Sequence, residues 1–225
     1  EFHRLSSCNP RVQSTALSSS SSLGEMLRNL GPEPKTVDEM IDRLLKQAVA
    51  RAKDEVPDAQ RAMFDRICTA LALLRPMITL EVLASLSGTE NANARSFLAD
   101  LGQAVLIKGT LVQFRDEPTE TWFQQQFKPQ VNELNEFISV LRPQARISAY
   151  VAAALPHLML NAGRIDELIK MALESSDLPD ADTLGRRDIE KQRLHFALRA
   201  SIRAKRYLDA TKLAFKAAGE AATES

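Results

Sequence analysis

One stretch of this chain reads as β-structure, and it limits the folds open to the rest. In "AVLIKGTLVQF", residues 104–114, the apolar runs "AVLI" and "TLVQF" flank Lys108–Gly109. A two-residue turn with glycine where positive φ is needed predicts a β-hairpin. On both sides of it apolar residues recur at helical spacing instead. The expected class is therefore mainly α, with one small hairpin.

The elements before the hairpin define its setting. A helix beginning near Asp58 carries Met63, Ile67, Leu71 and Leu74 on one stripe and stops at Arg75–Pro76. Thr79 is placed to cap a short helix with Leu80, Leu83, Ala84 and Leu86, which Gly88 closes. Thr89 or Asn91 opens another, with Phe97, Leu98 and Leu101 inward and Gly102 after it. Helices followed by a hairpin in this order predict a winged-helix domain over 57–128.

Residues 1–35 read as irregular, and the serine run within them as a flexible loop or helix edge, because serine hydroxyls compete for backbone hydrogen bonds. "GPEPK" marks a break. Thr36 with Glu39 forms a capping-box pattern opening a linker helix over 36–56, with Ile41, Leu44, Leu45 and Ala48 at helical spacing. From Thr119 onward every segment reads as helix. Over 129–225 paired antiparallel helices with small residues, as in "YLDATKLAFKAAG", suggest TPR-like helical repeats. Spacing alone does not name the repeat class.

Charge bounds the partners. Twenty-nine basic and 29 acidic residues cancel, so no whole-chain field draws the protein to nucleic acid or membrane. Between Thr79 and Arg115 the cations are Arg95, Lys108 and Arg115, set against Glu81, Glu90 and Asp100. A helix inserted into DNA needs several phosphate-facing cations, so a protein-packing role is favoured over a DNA reader. The one basic concentration is "RRDIEKQRLHFALRASIRAKR", where Arg199, Arg203 and Arg206 are expected on one helix face. A solvated face is the first reading of it, and an acidic protein partner or nucleic acid the second.

Enzyme chemistry finds little support, and no catalytic or metal-binding set is expected. His3, His157 and His195 fall in separate elements without a nucleophile motif, and no G-x-x-x-x-G-K-[ST] loop occurs. Cys8 and Cys68 fit no metal or redox spacing, which suits reduced thiols in a cytoplasmic protein. "YVAAALPHLML" is too short for a bilayer and is interrupted by Pro156 and His157. "EFHRLSSC" lacks the basic-then-apolar order of a secretory signal. A start without Met and an end just past a helix suggest a fragment, with a processed or tag-cleaved whole protein as the alternative.

The stretch from "ALALLRPMITLEVLASLSG" through "LVQFRDEPTETWFQQQF" resembles the winged-helix segment of STAND-class signalling ATPases. These multidomain P-loop switches include bacterial antiphage defence proteins and NACHT and apoptotic-type ATPases. The family's hairpin-to-helix motif reads Phe114-Arg115-Asp116-Glu117 here, followed by Trp122-Phe123 and Phe127. "LPHLMLNAGRIDELIKMAL" is similar to the helices that open the family's sensor array. The resemblance spans roughly residues 57–175.

That resemblance carries further expectations. Residues 1–35 would be the tail of an ATPase-associated helical module, with "SSCNPRVQSTAL" similar to a G-x-P helix start. Pro10 would then abut the adenine, although Cys8 replaces the family's glycine. Asp116 stands where many relatives place a phosphate-sensing histidine, and an acid there repels phosphate unless a cation or Arg115 intervenes. Arg115, Asp116, Glu117 and Trp122 would form a junction between wing and array. The implied function is a non-catalytic sensor relay in antiviral defence, with ATP or ADP held by the parent protein and no cofactor in this segment. A protein partner or ligand would bind the repeats, and the parent would homo-oligomerise. Two rivals are a DNA-binding regulator with a helical effector domain and a helical protein-interaction scaffold.

Overall fold

A computed structural model describes residues 1–18, 20–31, 37–180 and 183–222. These are mainly helical, with thirteen α-helices and one three-stranded antiparallel sheet. The chain divides into two compact units, Glu1–Lys128 and Pro129–Ser225.

The start of the first unit corrects the irregular reading of residues 1–35. Helices α1 (Phe2–Leu5), α2 (Pro10–Ser18) and α3 (Leu23–Leu30) form there. Leu5, Val12, Ala16, Met26 and Leu30 bury together as a small core. The serine run is a helix edge, one of the two readings open to it: Ser21 and Ser22 sit at the start of α3. Ser22 accepts the Glu25 N–H at 3.2 Å, while the Glu25 carboxylate accepts the Ser21 N–H at 2.8 Å. This reciprocal exchange satisfies donors that a helix start leaves open. The anticipated cap at Thr36 lies outside the described residues.

Helix α4 (Val37–Glu55) leads to α5 (Arg61–Leu73), β1 (Ile78–Thr79), α6 (Leu80–Ser87), α7 (Asn91–Asp100), β2 (Val105–Lys108), β3 (Leu111–Phe114) and α8 (Glu117–Gln126). Helix α5 buries far more than the single stripe its sequence suggests. Phe64, Ile67, Cys68, Ala70, Leu71 and Ala72 are all buried, because α6, α7 and α8 pack around it. Met63, expected in the stripe, is only half-buried, and Phe64 takes the core position.

The sheet has order β1-β3-β2, and its first strand escaped the sequence reading. Ile78 pairs with Val112 and Thr79 with Leu111. Two residues are too few to show alternation. Thr79 precedes α6 as expected, yet its side chain makes no capping bond. The Leu80 N–H instead donates to the Thr110 carbonyl at 2.7 Å, so the sheet does the work of a cap. Helix α7 opens at Asn91, one of the two starts expected, with Glu90 as the residue before it. The hairpin turn also shifts by one residue. Lys108 pairs with Leu111, which leaves Gly109–Thr110 as the loop, with Gly109 at φ 64°.

The second unit consists of α9 (Val131–Leu141), α10 (Ala149–Asn161), α11 (Ile165–Glu174), α12 (Thr183–Arg203) and α13 (Tyr207–Ala222). Successive helices pack on one another, and α12 also packs on α10 and α13 on α11. Helix α10 continues through Pro156, which is buried within it. Proline there gives up one backbone bond, so the stability of α10 rests on the burial of Val151, Leu155, Leu158 and Met159.

A helix hairpin recurs in this unit. Helices α10 and α11 are joined by Ala162, Gly163 and Arg164, and α12 and α13 by Ala204, Lys205 and Arg206. Gly163 and Lys205 share left-handed φ values of 72° and 57°. Both following arginines donate their backbone N–H five residues back at 2.8 Å, to Met159 and Ser201. Each then pairs with an acid three residues on, Glu167 or Asp209. Arg164 and Arg206 lie 42 positions apart, and the buried positions match at the same offset: Leu155 with Ala197, Leu158 with Ala200, and Met171 with Leu213.

Candidate functional site

The junction predicted at Arg115–Glu117 is where β3 gives way to α8. Asp116 is the N-cap of α8: its Oδ1 accepts the Thr119 N–H at 3.0 Å and the Thr119 hydroxyl at 2.6 Å. Pro118 favours a helix start at this point, since its missing N–H costs nothing there. The Arg115 N–H donates to the Ala104 carbonyl at 3.0 Å and closes the base of the hairpin. Glu117 is exposed in the first turn, where its charge complements the helix dipole. Asp116→Ala is expected to lower stability by about 1 kcal/mol, with Asp116→Asn close to wild type, as read from urea unfolding.

Trp122 is buried and ties α8 to α4. Its indole N–H donates to Asp42 Oδ1 at 2.9 Å, and Asp42 Oδ2 accepts from the Lys46 ammonium at 2.9 Å. Those two bonds, from Lys46 first and Trp122 second, hold the Asp42 carboxyl below its usual range. Phe123 lies beneath, with ring centroids 4.8 Å from Phe114, 5.2 Å from Trp122 and 5.3 Å from Phe127. Pro10, the other residue singled out beside Asp116, is the first residue of α2, which packs on α3 and α4.

The outward face of α7 is mostly polar. Asn91, Asn93, Arg95, Ser96 and Ala99 are exposed along it. Arg95 donates to the Gly109 carbonyl at 2.8 Å and so braces the hairpin tip against α7.

The arginine trio requires correction. Helix α12 ends at Arg203, so Arg206 cannot share a helical face with Arg199 and Arg203. It sits in the turn and opens α13, with its guanidinium bound to Asp209 at 2.8 Å and to Asp166 of α11. The i, i+7 spacing assumed an unbroken helix through "RAKR", where Lys205 adopts a left-handed φ. Arg199 and Arg203 remain exposed on α12.

The connection between α11 and α12 gathers charges that sequence reasoning missed. Arg142 bridges Asp177 at 2.9 Å and Glu167 at 3.0 Å, and Glu167 also accepts from Arg164 at 2.6 Å. Arg193 is 1 % exposed and donates to the carbonyls of Ser176, Asp177 and Ala152, the last at 3.0 Å. Burial draws its guanidinium down to about 10, opposed by Asp177 and Glu190, so it stays charged at neutral pH. The available signal was periodicity, since Ile189, Arg193, Ala197 and Ala200 fall on one buried stripe.

Ser175, Lys216 and Glu190 also meet here, an assembly of hydrolase-like residue types. The Lys216 ammonium donates to the Ala172 carbonyl at 2.8 Å, the Leu173 carbonyl at 3.1 Å and the Ser175 hydroxyl, and pairs with Glu190 at 3.0 Å. An ammonium has no lone pair with which to take a serine proton, and its three N–H donors are directed here at carbonyls, the hydroxyl and the carboxylate. The cluster therefore caps the end of α11. Burial pushes the Glu190 carboxyl up, but bonds from Ser175 and Lys216 outweigh it and leave the group below its usual range. A depressed pKa gives stability that is present above the unfolded value of about 4.3 and is lost as pH falls through the folded value. The stability gap between wild type and Glu190→Gln is thus expected to narrow below about pH 4 in acid titrations followed by circular dichroism.

Elsewhere an open cleft of about 580 Å³ lies between α3 and α4, where Glu25, Asp54 and Glu55 outnumber Arg51. Three carboxylates against one guanidinium repel a phosphate. Among the described residues no His, Cys, Asp or Glu group of three or more is placed to hold a metal, and no helix is long and apolar enough to cross a membrane. Both cysteines are free, Cys8 exposed and Cys68 buried, and burial pushes the Cys68 thiol upward. His157 accepts from the Asn161 amide at 3.1 Å and meets the Phe196 ring edge-on, so it packs within its unit.

No protein-family model matches this chain, and no curated protein is similar to it.

Proposed function

We propose that this chain is a non-catalytic regulatory segment of a STAND-type signalling ATPase, in which Glu1–Lys128 carries a winged helix and Pro129–Ser225 a TPR-like array. One observation carries the reading. The order α5-β1-α6-α7-β2-β3, with the sheet arranged β1-β3-β2, supports a winged-helix reading, yet the face of α7 that would enter a DNA groove in that reading offers one cation, and that cation is bonded to the hairpin. A groove-binding helix draws its affinity from phosphate neutralisation, which this face does not supply. A winged helix without that function serves as a packing module between neighbours.

In this reading the array recognises a protein partner, and recognition biases a nucleotide-dependent switch in the parent protein towards antiviral signalling. The partner must bind the active arrangement more tightly than the resting one, or nothing shifts. Nucleotide belongs to a P-loop core encoded ahead of Glu1, with oligomerisation a property of the parent and the cytoplasm its compartment. Two measurements test this. A gel shift with random duplex at low salt is expected to show no retarded band at about 10 µM protein, a concentration at which ordinary non-specific binders are retained. A band abolished by Arg95→Ala would favour a DNA-binding regulator. Sequencing the reading frame upstream of Glu1 is expected to reveal G-x-x-x-x-G-K-[ST], and a frame without it ends the proposal.

A further inference from the structure

The hairpin repeat exposes an asymmetry. On α11, Ile165, Ile169 and Leu173 are buried or half-buried, and α12 and α13 pack on this helix. Their counterparts on α13 at the same offset are Tyr207, Thr211 and Phe215, all exposed. Phe215 is 74 % exposed, and Leu208 beside it on the same face is 70 % exposed. In a stacked array a helix face that no neighbour covers is ordinarily polar. Helix α13 turns an apolar one to solvent, at a position where the preceding hairpin receives another helix.

The rim of that face is basic and uncompensated. Arg203 and Lys205 stand at the turn into α13, Lys212 lies along it, and Arg199 is one turn back on α12. None of the four makes an ion pair among the described residues. Asp209 is the lone acid between Arg199 and Phe215, and Arg206 holds it. A second copy of this chain would set the same cations against one another, which opposes self-association. An acidic partner satisfies both halves of the surface, its apolar stripe filling the α13 face and its carboxylates meeting the rim.

We infer that the outer face of α13, with its basic rim, docks an acidic amphipathic helix of a partner protein. This names the partner chemistry for the recognition role proposed above and rests on that reading for its biological meaning. The probe is a helical peptide of about 20 residues, with leucines at i, i+3, i+4 and i+7 and glutamates on both flanks. It is titrated against the whole chain by fluorescence anisotropy. Binding is expected, with about tenfold losses for Phe215→Ser and for Lys212→Glu and a marked weakening from about 0.05 to 0.5 M salt. Ile147→Ser, at an exposed apolar position elsewhere in the unit, is expected to change nothing. Both altered α13 residues face solvent, and unchanged circular dichroism verifies that the variants fold.

Absence of binding overturns the inference. Equal binding of serine-flanked or lysine-flanked peptides also overturns it, since the face would then be a general helix-packing surface. A dimer in light scattering that Phe215→Ser disperses assigns the face to a second copy and overturns it too. A reading frame without a P-loop would end the ATPase proposal and leave the peptide result standing, so the two failures are distinguishable.

Discussion

Replacing Arg193 with methionine is expected to cost roughly 3–5 kcal/mol, the range for breaking a buried charged network by removing one partner. The guanidinium supplies donors to three carbonyls, two in the α11–α12 connection and one on α10. Methionine fills much of the volume but provides no hydrogen, so the buried Ala152 carbonyl and the half-buried carbonyls of Ser176 and Asp177 lose this donor. The loss should appear as a lower urea midpoint with little change in slope. Arg199→Met on the same helix is the control. It is exposed and makes no ion pair among the described residues, and is expected to shift stability by less than about 0.5 kcal/mol. Equal effects at the two positions would show that the α11–α12 connection does not depend on Arg193.

Phe123→Ala is expected to cost about 3–5 kcal/mol in the first unit, the usual range for a fully buried ring. Phe123 is 0 % exposed and lies among Phe114, Trp122 and Phe127, so truncation removes apolar area and leaves a cavity that three rings border. Trp122 is the chain's single tryptophan, which makes its fluorescence a direct report on this cluster. The unfolding transition seen by that fluorescence should move to lower urea, and the native emission should shift to the red as water reaches the indole. Phe123→Leu keeps most of the volume and is expected to lose less than half as much. An unmoved transition would mean that the aromatic cluster does not hold α8 in place.

Helix α10 was legible because it carries a long apolar period ended by a turn signal at Gly163. The offset that relates the two hairpins was not. They share burial and backbone geometry while exchanging Leu158 for Ala200 and Gly163 for Lys205, so residue comparison sees little. In the first unit the hairpin was visible from its glycine. Its register needed the pairing of Lys108 with Leu111, because one residue of slip leaves the composition of the turn almost unchanged.

The candidate site divides in the same way. Asp116 sits before a proline in a pattern that signals a helix start, and the cap it forms on α8 is local chemistry. Arg206 was misassigned because a left-handed residue in a turn leaves no clear mark when it is lysine and not glycine. Arg193 was overlooked because cations are assumed to face water.

Sequence alone determined the local elements: where apolar periods run, where caps and breaks fall, and that charge on the hairpin-bearing segment is sparse. Tertiary structure decided what those elements meet. It recruited Ile78–Thr79 as a third strand, buried α5 on most of its circumference, spent Arg193 and Lys216 on carbonyls distant in sequence, and left the apolar face of α13 uncovered. The physical reason is range. Helix and turn preferences act over a few residues, whereas strand partners, buried charges and exposed faces depend on atoms tens of positions away that only the packed chain brings together.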